Sequence, residues 1–146
     1  MARISIKGVV VGGIVDVASS VALGLPISFY TASKLDLTRI PKDQLGLAVT
    51  TAIHADVPLC IGQTVIGLAC SVLGGYVAAW LAKRDERVNG GLSSFLCLAL
   101  GIFTILSGKD PSPLPVQILL LVAGPLFALL GGDLMRRQRW KRPATA

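Results

Sequence analysis

The chain reads as an all-α membrane protein, a four-helix transmembrane bundle with its N- and C-termini in the cytoplasm. Three observations predict this: four long apolar stretches, a composition rich in small residues, and a lopsided distribution of positive charge. Gly8–Ala32 runs 25 residues with Asp16 as its one charge, and Val57–Ala82 runs 26 with none. Val88–Ser107 and Leu114–Gly132 add 20 and 19 uncharged residues. A helix rises about 1.5 Å per residue, so about 20 apolar residues cross a hydrocarbon core of about 30 Å. A hydrophobic content of 53% and a mean hydropathy of +0.70 exceed what a soluble domain carries while keeping a polar surface. Sixteen glycines and only 5% aromatics suit closely packed membrane helices.

Charge sets the orientation. Arg3, Lys7, Lys83, Arg84, Arg87, Arg136, Arg137, Arg139, Lys141 and Arg142 fall on one side of the bundle; Lys34, Arg39, Lys42 and Lys109 fall on the other. Positive loops stay in the cytoplasm, so both termini and the middle loop are expected there. The bias also argues against a dual-topology protein. A net charge of +6 and a pI near 9.7 bring nucleic acid to mind. The basic tail Met135–Arg142 nevertheless reads as a topology anchor, with Trp140 at the headgroup level and its cations near anionic lipid.

Taken in order, the spans are expected at 8–32, 57–82, 88–107 and 114–135 of a single transmembrane domain, 1–146, with an outer loop at 33–56. Span 1 is too long for the apolar region of a signal peptide and carries an aspartate, so it is expected to remain uncleaved. Pro26 late in span 1 and Pro125 inside span 4 free the carbonyls of Ala22 and Leu121, which predicts kinks. In the outer loop, Leu45, Ala48, Val49, Ala52 and Ile53 recur at helical spacing, with Lys42, Asp43, Gln44, Thr50, Thr51 and His54 mostly opposite. This predicts a short amphipathic helix on the outer surface or over the bundle mouth. Pro58 suits the first turn of span 2, after Asp56. Pro111, Pro113 and Pro115 give span 4 a stiff, extended lead-in.

Small or polar residues recur every four positions in each span. Span 1 has Gly8, Gly12, Asp16, Ser20 and Gly24, and span 2 has Gln63, Gly67, Ser71, Gly75 and Ala79. Span 3 has Asn89, Ser93, Cys97 and Gly101, and span 4 has Gly124, Ala128 and Gly132. Residues four apart share a helix face, so these rows read as packing seams, with Gly12, Gly67, Gly75, Gly101, Gly124 and Gly132 as helix-packing positions. Cys60, Cys70 and Cys97 form no pair motif and read as small packing residues. His54 and Asp56 are too few to ligate a metal, so neither a metal nor another cofactor is expected.

Asp16 is the one ionisable residue deep in a span. It lies about 12 Å from the edge of span 1, near the depths of Cys70, Ser71, Ser93 and Ser94. A buried charge costs about 3 kcal/mol or more, so Asp16 faces the bundle interior or water. Asp16, Ser71 and Ser93 form the candidate intramembrane polar site. The preferred reading is a neutral hydrogen-bond donor to a serine hydroxyl or a free backbone carbonyl; the alternative is a proton- or cation-binding group in transport. Asp133, beside Arg136 and Arg137, reads as an interfacial ion-pair residue.

Gly74-Gly75-Tyr76-Val77-Ala78-Ala79, then Trp80, Lys83 and Arg84, then Asn89-Gly90-Gly91, is the most motif-like segment. It resembles a pattern in small, uncharacterised four-span bacterial membrane proteins, which implies topology and no activity. Tyr76 and Trp80 read as an aromatic belt at the cytoplasmic interface. The architecture also looks like that of small multidrug-resistance transporters, which have four spans and an acid in the first. Here the acid is Asp rather than Glu, the aromatic lining is missing and the charge bias is strong. The expected function is a non-enzymatic integral membrane protein of the cell membrane, the inner membrane in a bacterium. It would pack with itself as a homo-oligomer or serve as an accessory subunit of a larger membrane complex, with the lipid bilayer as partner and no nucleic acid. The alternative is a small oligomeric transporter or channel coupled through Asp16.

Overall fold

Polar residues at the ends of each apolar stretch set where its helix starts and stops. In the computed structural model, which describes residues 4–108 and 112–141, all the regular structure is helical. Arg3, Lys109, Asp110, Pro111 and Arg142 lie outside the described residues. Helix α1 (Ile6–Lys34) begins at Ser5, whose hydroxyl accepts from the Gly8 amide at 3.3 Å. This satisfies one of the donors a helix start leaves without a partner. A single 3₁₀ turn at Leu37–Arg39 leads to α2 (Leu45–Ala55). Asp56 alone separates α2 from α3 (Val57–Ala82), and its carboxylate caps α3 by accepting from the Leu59 amide at 3.3 Å. Pro58 sits in the first turn of α3, where a missing N–H costs nothing.

Three residues join α3 to α4 (Glu86–Ser93), two of them in the left-handed region: Lys83 at φ 58° and Asp85 at φ 48°. Asn89 makes this turn tenable. Its side chain is fully buried, and its Nδ2 donates to the Arg84 and Asp85 carbonyls at 3.1 and 3.0 Å. Its Oδ1 accepts from the Ser5 amide at 2.7 Å, so one side chain ties the turn to the start of α1.

The third span differs from the single helix expected at 88–107. It runs Glu86–Ser107 but is broken at Ser94, which divides α4 from α5 (Phe95–Ser107). The hydroxyls of Ser93 and Ser94 donate to the Gly90 and Gly91 carbonyls at 2.6 and 2.8 Å, competing with the helix's own amides just where it breaks. Helix α6 (Leu114–Lys141) is the last element among the described residues, with Pro125 inside it and Pro26 inside α1. Among the described residues, four helical segments (α1, α3, α4 with α5, and α6) are therefore long and apolar enough to cross a membrane, as in a multi-pass membrane protein.

Helix α3 is central: it packs against α1 on one side, α6 on another and α4 on a third. Its adjacent glycines serve different neighbours. A Cβ on Gly74 would stand 2.7 Å from the Gly12 carbonyl and from Asp16 Cβ of α1, whereas one on Gly75 would collide with Ala128 of α6. Consecutive residues point about 100° apart around a helix, so a glycine pair lets one helix be approached closely from two directions. Gly12 meets Ala78, the Gly74 carbonyl and Ser93; Gly131 abuts Val72 and Tyr76; Gly132 abuts Glu86 and Arg87. All of these contacts lie in the half of the bundle nearer the Lys83–Asp85 turn, here called the turn end. In the opposite half, α5 touches α6 and α1 more sparsely, and none of its residues is buried. The helices are in backbone contact at one end and splayed at the other.

This asymmetry yields a direct test. Gly75→Ala should lower stability by about 1–3 kcal/mol, because the added methyl meets Ala128 backbone that cannot step aside. Gly24→Ala, where a Cβ meets nothing within 4 Å, should leave stability unchanged or raise it by up to about 1 kcal/mol through helix propensity. Thermal denaturation of both variants in detergent micelles checks the contrast.

Candidate functional site

The splay of the helices leaves a cavity of about 410 Å³ beside Asp16. Its wall continues the same four-residue rows that pack at the turn end. On α1 the row passes from Gly8 and Gly12, which are packed, to Asp16 and Ser20, which line the cavity. On α3 it passes from Ala79 and Gly75 to Ser71, Gly67 and Gln63, and on α6 from Gly132 and Ala128 to Gly124 and Leu120. Gly67 and Gly124, expected as packing positions, therefore depart from that expectation. A Cβ at either meets nothing within 4 Å, because the helices have already diverged at their level. Gly12, Gly75 and Gly132 lie in interhelical contacts, and Gly101 approaches the Leu121 side chain of α6.

Asp16 stands where packing gives way to cavity. Its side chain is 1% exposed, and the Ser71 hydroxyl donates to its two carboxylate oxygens at 3.3 and 3.2 Å. The Cys97 thiol donates to Oδ2 at 3.2 Å. Three helices supply these groups at a common depth: Asp16 is ten residues beyond Ile6, Ser71 eleven before Ala82, and Cys97 eleven beyond Glu86. Ser93, grouped with Asp16 in the sequence, lies one helical turn nearer the turn end. There it is 1% exposed, donates to the Gly90 carbonyl and packs against Gly12 and Gly13. The correction has a simple origin. Ser93 is seven residues beyond Glu86, whereas Asp16 is ten beyond Ile6, so the residue level with Asp16 is Cys97, four further along the same row.

Helix α2 roofs the cavity. Thr50, Ile53 and His54 line it, so Thr50 and His54, placed with the polar face from spacing, point into the molecule rather than away from it. The Thr50 carbonyl lies 2.8 Å from His54 Nδ1. Cys60, Gln63 and Thr64 complete the wall near the start of α3. A second hollow of about 280 Å³ between α5 and α6 shares His54, Cys97 and Leu120 with the first, so the two adjoin. The lining is mostly apolar, with a few polar groups converging near one carboxylate. That is the usual build of a small-molecule site, and 410 Å³ lies within the roughly 300–1,000 Å³ such sites occupy. Among the described residues, neither Lys nor Arg lines the cavity. Among the described residues, no group of three His, Cys, Asp or Glu side chains could hold a metal ion.

The cavity itself had no sequence signal, since a row of small residues looks the same whether it packs or lines a space. One signal for Cys97 was available: its equal distance with Asp16 and Ser71 from the turn-end helix termini.

Filling the cavity should be tolerated where filling a seam is not. Gly67→Leu should keep the melting temperature of the parent chain in micelles and slow the reaction of Cys60 with a water-soluble maleimide. In the parent chain Cys60, on the cavity wall, should label well before Cys70, which is 2% exposed. Peptide mass spectrometry reads both rates. A Gly67→Leu chain as destabilised as Gly75→Ala would show the cavity to be filled by packing instead. In comparisons with known proteins, no family model, curated protein or solved structure matches the chain.

Proposed function

We propose that this chain is a small, non-enzymatic carrier of the cell membrane, the inner membrane in a bacterium, which binds a proton or small cation at Asp16 on its way through the cavity. The observation that carries this reading is the placement of the one acid deep in a span. Asp16 borders a 410 Å³ cavity whose wall also bears Ser20, Gln63, Thr64 and Ser71. A carboxylate at that depth is costly, and it is best tolerated where hydrogen-bond donors, water or a cation compensate it. Ser71 and Cys97 supply two donors, and the cavity leaves room for water or a cargo. Both termini and the Lys83–Arg87 segment belong to the cytoplasm, because ten of the fourteen Lys and Arg residues then lie inside. The cavity roof formed by α2 accordingly faces outward, and two or more copies complete a path across the membrane.

A second reading has its own support. Asp16 already has two hydrogen-bonding neighbours, which is enough for a purely structural role in a bundle that packs with itself or with a larger complex. One substitution separates the two. Asp16→Asn keeps the shape and the hydrogen bonding, so the variant should fold with an unchanged melting temperature. If Asp16 carries a proton or cation, proton-linked flux into liposomes should fall to background, since an amide does not titrate. Undiminished flux, or none in the parent chain alongside stoichiometric co-purification of another membrane protein, would favour the structural role.

Orientation has a separate check. A cysteine introduced at position 110 should react with an impermeant maleimide added to intact cells, and one at position 140 only after the membrane is opened. The reverse pattern would invert the topology.

A further inference from the structure

Around the turn end, charged side chains from α4 and α6 gather in an arrangement that the cavity does not use. Arg87, Asp133, Arg136, Arg137 and Trp140 line one groove of about 510 Å³. We propose that this groove binds the phosphate of an acidic lipid headgroup. The proposal stands apart from the reading of Asp16.

Asp133 organises the groove. Its side chain is only 17% exposed, and it accepts from Arg87 Nε and Nη2 at 2.7 and 2.6 Å on one oxygen. Its other oxygen accepts from Arg137 Nε at 2.8 Å. One half-buried carboxylate thus holds two guanidiniums in fixed positions on different helices. Arg137 engages it through Nε, which leaves its two terminal nitrogens to meet another acceptor. Arg136 adds a third cation, so the lining residues carry three positive charges against one negative. The neighbouring acid, Glu86, does not compete, because Arg139 Nη1 donates to it at 2.8 Å. A pre-oriented pair of guanidiniums suits phosphate, whose oxygens accept two parallel N–H bonds.

The surroundings favour a lipid over a soluble anion. Leu130 and Leu134 precede Arg137 at spacings of seven and three, which puts them on the same helix face, and both are exposed. Trp140, 83% exposed, lies at the other edge. An apolar strip on one side of a cationic groove and an indole on the other match the order of acyl chain, phosphate and interface along a lipid.

The test uses the full chain purified in neutral detergent. Phosphatidylglycerol should raise its melting temperature and remain bound in native mass spectrometry; phosphatidylcholine should do neither. Arg136→Gln, which breaks no ion pair within the described residues, and Arg137→Gln should each weaken phosphatidylglycerol binding about fivefold. Arg39→Gln, in the loop before α2, should leave it unchanged. Equal stabilisation by phosphatidylcholine, or full-strength phosphatidylglycerol binding by both groove variants, would overturn the site. Inorganic phosphate reproducing the whole effect would overturn the lipid as occupant, leaving a site for a soluble anion.

Discussion

Backbone contact between helices, made possible by glycine and alanine, is the constraint on which the rest of this structure depends. Lipid tails are as apolar as leucine, so no hydrophobic force drives membrane helices together, and association rests on close packing and hydrogen bonds. Here the packing is concentrated at the turn end. Gly74 and Gly75 let α3 lie between α1 and α6, and Gly90 lets α4 approach Ala128 and Gly132. The short Lys83–Asp85 turn requires α3 and α4 to stay close, and buried Asn89 satisfies the turn carbonyls while holding the start of α1. Around this knot the Tyr76 hydroxyl donates to Gln138 at 2.6 Å and Arg139 Nη2 donates to the Trp80 carbonyl at 2.7 Å, so the last turns of α3 are joined to α6.

Because the contact is confined to one end, the other end is free to open. The same rows of small residues that join the helices near the turn become the walls of a cavity beyond Asp16. The break at Ser94 separates α4, which belongs to the packed end, from α5, none of whose residues is buried. Asp16 sits at the junction, where it gains Ser71 and Cys97 as donors and borders the cavity. A residue deeper in the seam would have no cavity beside it.

Much of this was legible in the residues. Helix α3 coincides with the apolar stretch at 57–82, α6 begins with the stretch at 114 and runs on to Lys141, and α1 extends the first stretch by two residues at each end. Ser71 was matched to Asp16 by depth alone. The match failed for Ser93 because depths three residues apart were treated as level, and one turn along the row exchanges a serine for a cysteine. Gly67 and Gly124 were indistinguishable from Gly75 and Gly132 in the sequence. A glycine marks where a close approach is permitted, and only the neighbouring helix determines whether it happens.

The sequence by itself determined the helices, because length, hydropathy and the need of every backbone group in lipid for an internal partner leave no other regular structure for four such stretches. It also determined which face of each helix is narrow. The tertiary structure decided where along those faces the helices touch and where they part, and with that the cavity, its roof on α2, and the partners of Asp16 and Asp133. These depend on crossing angles and on a single break at Ser94, which are properties of helices meeting in space. No local pattern along one helix encodes the distance to the next.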